Sequence, residues 1–187
     1  MKLILTLSLV VIGIVLLYVR TSKTTAEQPQ NPSRAESGNM FHALRNMALN
    51  QRDISPESNP DSVIGIITDL HMGQGIATVT SFITGDASIY FSSGGGIIGA
   101  GRHESVQKVA KQYIAYGQAY LAKARATQET PLPESRMVNF YFLTKGGIFV
   151  GQESMASLEN GTSEWAPLFK EANKVLTQLR LVDQSRQ

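Results

Sequence analysis

The residues best suited to chemistry in this 187-residue chain gather in two short stretches. One is the turn Asp69-Leu70-His71-Met72-Gly73-Gln74-Gly75. The other runs from Ser92 and Ser93 through Gly94, Gly95, Gly96, Ile97, Ile98, Gly99, Ala100 and Gly101 to Arg102, His103 and Glu104. Asp69, His71 and His103 are residue types that metals favour. No HExxH spacing or carboxylate ladder specifies a site, however, and a turn aspartate with surface histidines is the favoured reading, so no metal is expected. Ser92 or Ser93 beside His103 would suit a nucleophile and its base. Neither serine stands in a G-x-S-x-G elbow, so no catalytic set is expected either. His42, the remaining histidine, falls on a short helical stretch.

The glycine-rich stretch admits three chemical readings. Gly94, Gly96 and Gly99 match G-x-G-x-x-G, but that fingerprint needs a parallel strand and a helix opening within the glycines. Here the preceding strand belongs to a tight hairpin. Gly96 to Gly101 has the spacing of a phosphate loop, with Arg102 and His103 where Lys and Ser or Thr are required. No cofactor is therefore expected. A softer possibility survives: Gly94, Gly95, Gly96, Gly99, Gly101, Arg102 and His103 as an anion or small-ligand site. Free backbone N–H groups and the following helix dipole would favour negative charge there. Glu104 opposes this. The stronger reading is that the glycines allow close packing, Ile97 and Ile98 enter the core, and Glu104 complements the dipole.

Charge narrows the partners. The net charge is +2, and basic and acidic residues balance after residue 37. A neutral domain has no footprint for nucleic acid, whose binding rests on neutralising phosphates. The absence of cysteine excludes disulfides, thiolate chemistry and zinc-cysteine sites.

The elements that must carry these residues begin with Leu3 to Val19, an uncharged run of about 17 residues. As a helix it spans about 26 Å against a bilayer core of about 30 Å. Tyr18 and Arg20 fit an interfacial boundary. Residues 1–20 are thus expected to form a single-pass transmembrane anchor rather than a cleaved signal, and the chain to sit at the cell membrane. Lys2 and the amino terminus weigh against Arg20, Lys23 and Arg34, and the tally leans to a cytoplasmic domain. Residues 21–39 lack large apolar side chains and predict a flexible linker. Residues 40–187 form the soluble α+β domain.

Within it, Phe41, Leu44, Met47 and Ala48 mark the apolar side of a short helix over 40–49. Strands are expected over 63–70, 76–84 and 87–92, with Gly85-Asp86 as a type II′ turn between the last two. Ser105 to Ala126 shows the clearest helical periodicity, with Tyr113 and Tyr120 inward and Tyr116 outward. A second hairpin joins 137–143 to 148–153 through Lys145-Gly146-Gly147. A last helix covers Ser163 to Leu181, with Trp165, Leu168, Phe169, Ala172, Leu176 and Leu179 buried and Pro167 in its first turn. The order βββαββα implies a roughly five-stranded antiparallel sheet packed on one face by two amphipathic helices.

That architecture resembles profilin-like and roadblock-type domains, which serve as interaction or regulatory modules, although their element order differs. The wording IATVTSFITGDASIYFSSGGGIIGAGRHESV, FYFLTKGGIFV and LTQLRL resembles a group of uncharacterised bacterial proteins, which implies a single bacterial domain and carries no functional residue. The expected function is a membrane-anchored, non-catalytic interaction or regulatory module with a protein partner. A small-ligand sensor at the glycine-rich loop is the runner-up, and a hydrolase or metal-dependent enzyme a distant third.

Overall fold

The computed structural model describes residues 34–54 and 59–184. The expected membrane anchor and residues 21–33 of the expected linker lie outside them. No helix among the described residues is long and apolar enough to cross a membrane. Helix α1 spans Arg34–Leu49, so it begins inside the stretch expected to be linker.

Strands β1 (Gly65–His71), β2 (Ile76–Phe82), β3 (Ala87–Phe91) and β4 (Gly96–Ile97) follow. Then come helix α2 (Glu104–Gly117), β5 (Arg125–Thr127), β6 (Met137–Leu143) and β7 (Ile148–Ser154). A short helix α3 (Met155–Glu159) and the long α4 (Ala166–Gln184) close the domain. The sheet is α+β and antiparallel as expected, but it has seven strands rather than five, in the order β4-β3-β2-β1-β6-β7-β5. The two extra strands are the edges, of two and three residues. Strands that short carry no readable alternation, which is why periodicity did not reveal them. Their brevity also blunts the edges against pairing with another chain.

The long helical pattern ends early: α2 stops at Gly117, and Gln118–Lys123 continues as a 3-10 helix before β5. The β2–β3 connection is not a two-residue type II′ turn. Gly85 N–H donates to Phe82 O at 2.8 Å and Phe82 N–H donates to Asp86 O at 2.9 Å. Ile83, Thr84 and Gly85 thus make a three-residue loop with glycine at its left-handed position, φ 90°.

The inner face of the sheet is closed by α2 and α4. Ile66, Leu70, Val79, Ile89, Phe140 and Phe142 pack there against Val106, Ala110, Tyr113, Leu168, Val175 and Leu179. Trp165 stacks on Phe140 with ring centroids 5.7 Å apart. Tyr113 is fully buried and hydrogen-bonded to Thr68 Oγ1 at 2.7 Å, so burial pushes its hydroxyl pKa up. Tyr120 is buried and Tyr116 exposed, as the spacing implied. The helices do not cover one face alone. α1 lies on the opposite, outer face, where Ala48 and Leu49 join Ile64, Ile67, Phe82 and Tyr141 in a second apolar cluster.

Candidate functional site

The outer face is where the described residues depart most from a generic core. α1 buries Ser37, Phe41, Arg45, Ala48 and Leu49 at steps of three and four, the stripe a helix laid on a sheet must present. Arg45 occupies the middle of that stripe at 3% exposure. Its Nε and Nη2 donate to Asp69 Oδ2 at 2.9 and 2.6 Å. The other carboxylate oxygen, Oδ1, accepts from Thr78 Oγ1 at 2.5 Å. Both partners of the ion pair are withdrawn from water, with side chains 4% and 0% exposed. Two charges in that setting persist only with good geometry and added hydrogen bonds, both present here.

The network extends sideways. The Arg45 guanidinium sits 5.4 Å from the centre of the Tyr141 ring. Tyr141 Oη donates to the Pro131 carbonyl at 2.5 Å, and Asn139 Nδ2 approaches the same carbonyl at 3.3 Å. Gln152 Nε2 donates to Asn139 Oδ1 at 2.9 Å. Residues from α1, β1, β2, β6 and β7 thus converge on one polar latch that also pins the loop before β6. Burial pushes the Tyr141 hydroxyl pKa up.

This latch rotates α1 relative to the sequence expectation. Two residues beyond Arg45 is about 200° around a helix of 3.6 residues per turn, so Met47 faces away from the sheet. Met47 is 70% exposed, not buried as its place in the apolar pattern suggested. Met40, one heptad earlier, is 61% exposed, and Ala43 between them is exposed as well. The result is an apolar ridge along the outward side of α1. Beside it lies a groove of about 170 Å³ between α1 and the β3–β4 hairpin, floored by Phe41, Leu44, Tyr90 and Phe91 and bordered by Gly94 and Gly95.

The glycine-rich stretch is spread over three local structures. Gly94 N–H donates to Phe91 O at 2.9 Å, and Phe91 N–H donates to Gly95 O at 3.1 Å. This repeats the three-residue turn between β2 and β3, and Gly94 at φ 101° holds its left-handed position. Gly96 lies against β3, and a Cβ there would stand 2.2 Å from the Ile89 carbonyl oxygen. Gly99 N–H donates to Ser88 Oγ at 3.0 Å, and Gly101 N–H donates to Asp86 Oδ1 at 2.9 Å. The protein's own Asp86 carboxylate therefore takes up an N–H group that an anion would need. Arg102 Nε donates to His103 Nε2 at 3.3 Å on the surface. Ile97 is buried as expected, but Ile98 is 61% exposed.

Asp69, His71 and His103 do not come together. Asp69 belongs to the latch, and His71 Nδ1 accepts Gly73 N–H at 3.2 Å beyond it on the same strand. Among the described residues no group of three His, Asp or Glu is placed to hold a metal ion. Ser92 Oγ accepts Ile76 N–H at 2.9 Å, tying the β3 end to the start of β2. Sequence reasoning missed Arg45. The signal was there, an arginine four residues after Phe41 and four before Leu49, in a stripe that otherwise faces the sheet.

Comparison with protein-family models, curated proteins and solved structures finds no match.

Proposed function

We propose that the chain is a non-catalytic interaction module held at the cell membrane by residues 1–20, with its domain on the cytoplasmic side and a protein partner seated on α1. The observation that carries this reading is the exposed ridge of Met40, Ala43 and Met47, continuous with the groove floored by Phe41, Leu44 and Phe91. Methionine is unbranched and polarizable, so a methionine ridge adapts to a partner's surface. The ridge stands on a helix that the Arg45–Asp69 pair fixes in one orientation, which presents it without further ordering cost.

The test uses the full chain in its membrane. Gentle solubilisation should recover a stoichiometric protein partner with the parent chain and lose it with a Met40→Glu, Met47→Glu variant of unchanged melting temperature. Equal recovery by both chains, or repeated recovery of the parent alone, would count against the proposal.

A further inference from the structure

At the end of β1, the β1–β2 turn, the entry to β6, α3 and α4 line a cleft of about 610 Å³. That is within the range of about 300–1,000 Å³ typical of small-molecule sites. Its floor is apolar: Leu70 and Phe169 are buried, and Met155 and Leu176 are partly buried beside them. Its rim is polar and carries both signs of charge, with Arg136 and Glu159, and with His71 and Asn173 as further hydrogen-bonding groups. Among the described residues neither Arg136 nor Glu159 is engaged in an ion pair. His71 Nδ1 accepts Gly73 N–H, which leaves Nε2–H as the ring's donor.

The rim has a second unusual feature. Arg136 has φ 61°, the one non-glycine residue among those described with a positive φ. A left-handed arginine is strained, and glycine would relieve it. The turn is held by Met137 N–H donating to Glu134 O at 3.0 Å and Met155 N–H donating to Arg136 O at 2.8 Å. Folding alone would be served better by glycine here. What arginine adds is a guanidinium at the rim of an apolar cleft.

We infer that this cleft binds an apolar α-amino acid in its zwitterionic form. The ligand carboxylate meets Arg136 and His71, its ammonium meets Glu159 with Asn173, and its side chain lies on Leu70, Met155, Phe169 and Leu176. Opposite charges that do not satisfy each other, set around an apolar floor, complement a ligand with two opposite poles and an apolar tail. This site is separate from the proposed docking ridge and stands or falls without it.

Titration calorimetry of the full chain with L-phenylalanine and L-leucine tests the inference. Saturable binding is expected for at least one of them. Phenethylamine, which lacks the carboxylate, and hydrocinnamate, which lacks the ammonium, should each bind at least tenfold more weakly. Arg136→Gly should cost the amino acid at least tenfold in affinity while the melting temperature stays level or rises, which separates lost recognition from lost folding. Glu159→Gln should weaken the amino acid but not hydrocinnamate. No saturable binding of either amino acid would overturn the inference, as would affinity unchanged in both variants. Hydrocinnamate binding as tightly as phenylalanine would overturn the two-pole reading.

Discussion

The two faces of the sheet are closed by different physics. On the inner face α2 and α4 bury hydrocarbon against hydrocarbon, with a side-chain hydrogen bond from sheet to helix between Thr68 and Tyr113. On the outer face α1 is seated by a buried ion pair, a hydroxyl and a chain of amides and carbonyls around it. Apolar packing is tolerant of orientation, since any side chain of suitable volume contributes. A buried charge pair is not, because either charge alone in that place is strongly unfavourable. The outer face therefore fixes the rotation of α1, and with it which residues the helix turns to solvent.

Mutations separate the two mechanisms. The largest effects should come from Phe140→Ala on the inner face and Arg45→Ala on the outer, each destabilising by about 3–5 kcal/mol in chemical denaturation. The contrast lies in repair. Replacing both Arg45 and Asp69 by apolar residues, as in a Met and Leu pair, should restore most of the outer loss, since no charge is left unpaired. If the double variant is as unstable as Arg45→Ala, the ion pair is not what seats the helix.

Next in size is the hairpin that borders the α1 groove. Gly96→Ala would drive a Cβ toward the Ile89 carbonyl oxygen and should cost about 1–3 kcal/mol, read as a lower denaturation midpoint. Wild-type stability in that variant would show that β4 is dispensable to the sheet edge.

A smaller effect is expected at the junction of β7 and α3. Ser163 Oγ donates to Glu153 Oε2 at 2.7 Å, and Ser154 N–H donates to Oε1 at 2.7 Å. These bonds hold the Glu153 carboxyl pKa below its ordinary value, the Ser163 bond contributing most. A group whose folded pKa is depressed adds stability above its unfolded value of about 4.3 and loses it as pH falls through the folded value. The melting temperature should therefore fall below about pH 4. The fall should be shallower in Ser163→Ala, and identical acid profiles would remove Glu153 from the account.

The smallest effects mark the outward side of α1. Met47→Glu should change stability by no more than about 0.5 kcal/mol. Ala48→Glu, one residue on and buried against Ile64 and Ile67, should destabilise clearly. Similar melting temperatures for the two would mean that α1 is not rotated as described.

The same contrast explains what could be read from the sequence. The strands at 65–71, 76–82, 87–91, 137–143 and 148–154 carry runs or alternations of apolar residues, and so does α2. Burial of hydrocarbon imposes those periods directly, so the inner core was legible. The outer face was less legible, because its organising contact joins residues 24 positions apart by charge, and the arginine within the α1 stripe does not by itself name Asp69 as its partner. The glycine-rich stretch was conspicuous for a reason that is largely local: it repeats a three-residue turn and brings a short edge strand against β3. Arg136 shows no sequence signal at all, since a left-handed arginine is a property of the folded turn.

The most direct test of the docking account is site-specific photo-crosslinking in intact membranes, with a photoreactive side chain placed at position 47 and, as a control, at Tyr116 on α2. The account predicts a cross-link to a single protein from position 47 and none from position 116. No cross-link from position 47, or the same products from both positions, would contradict it.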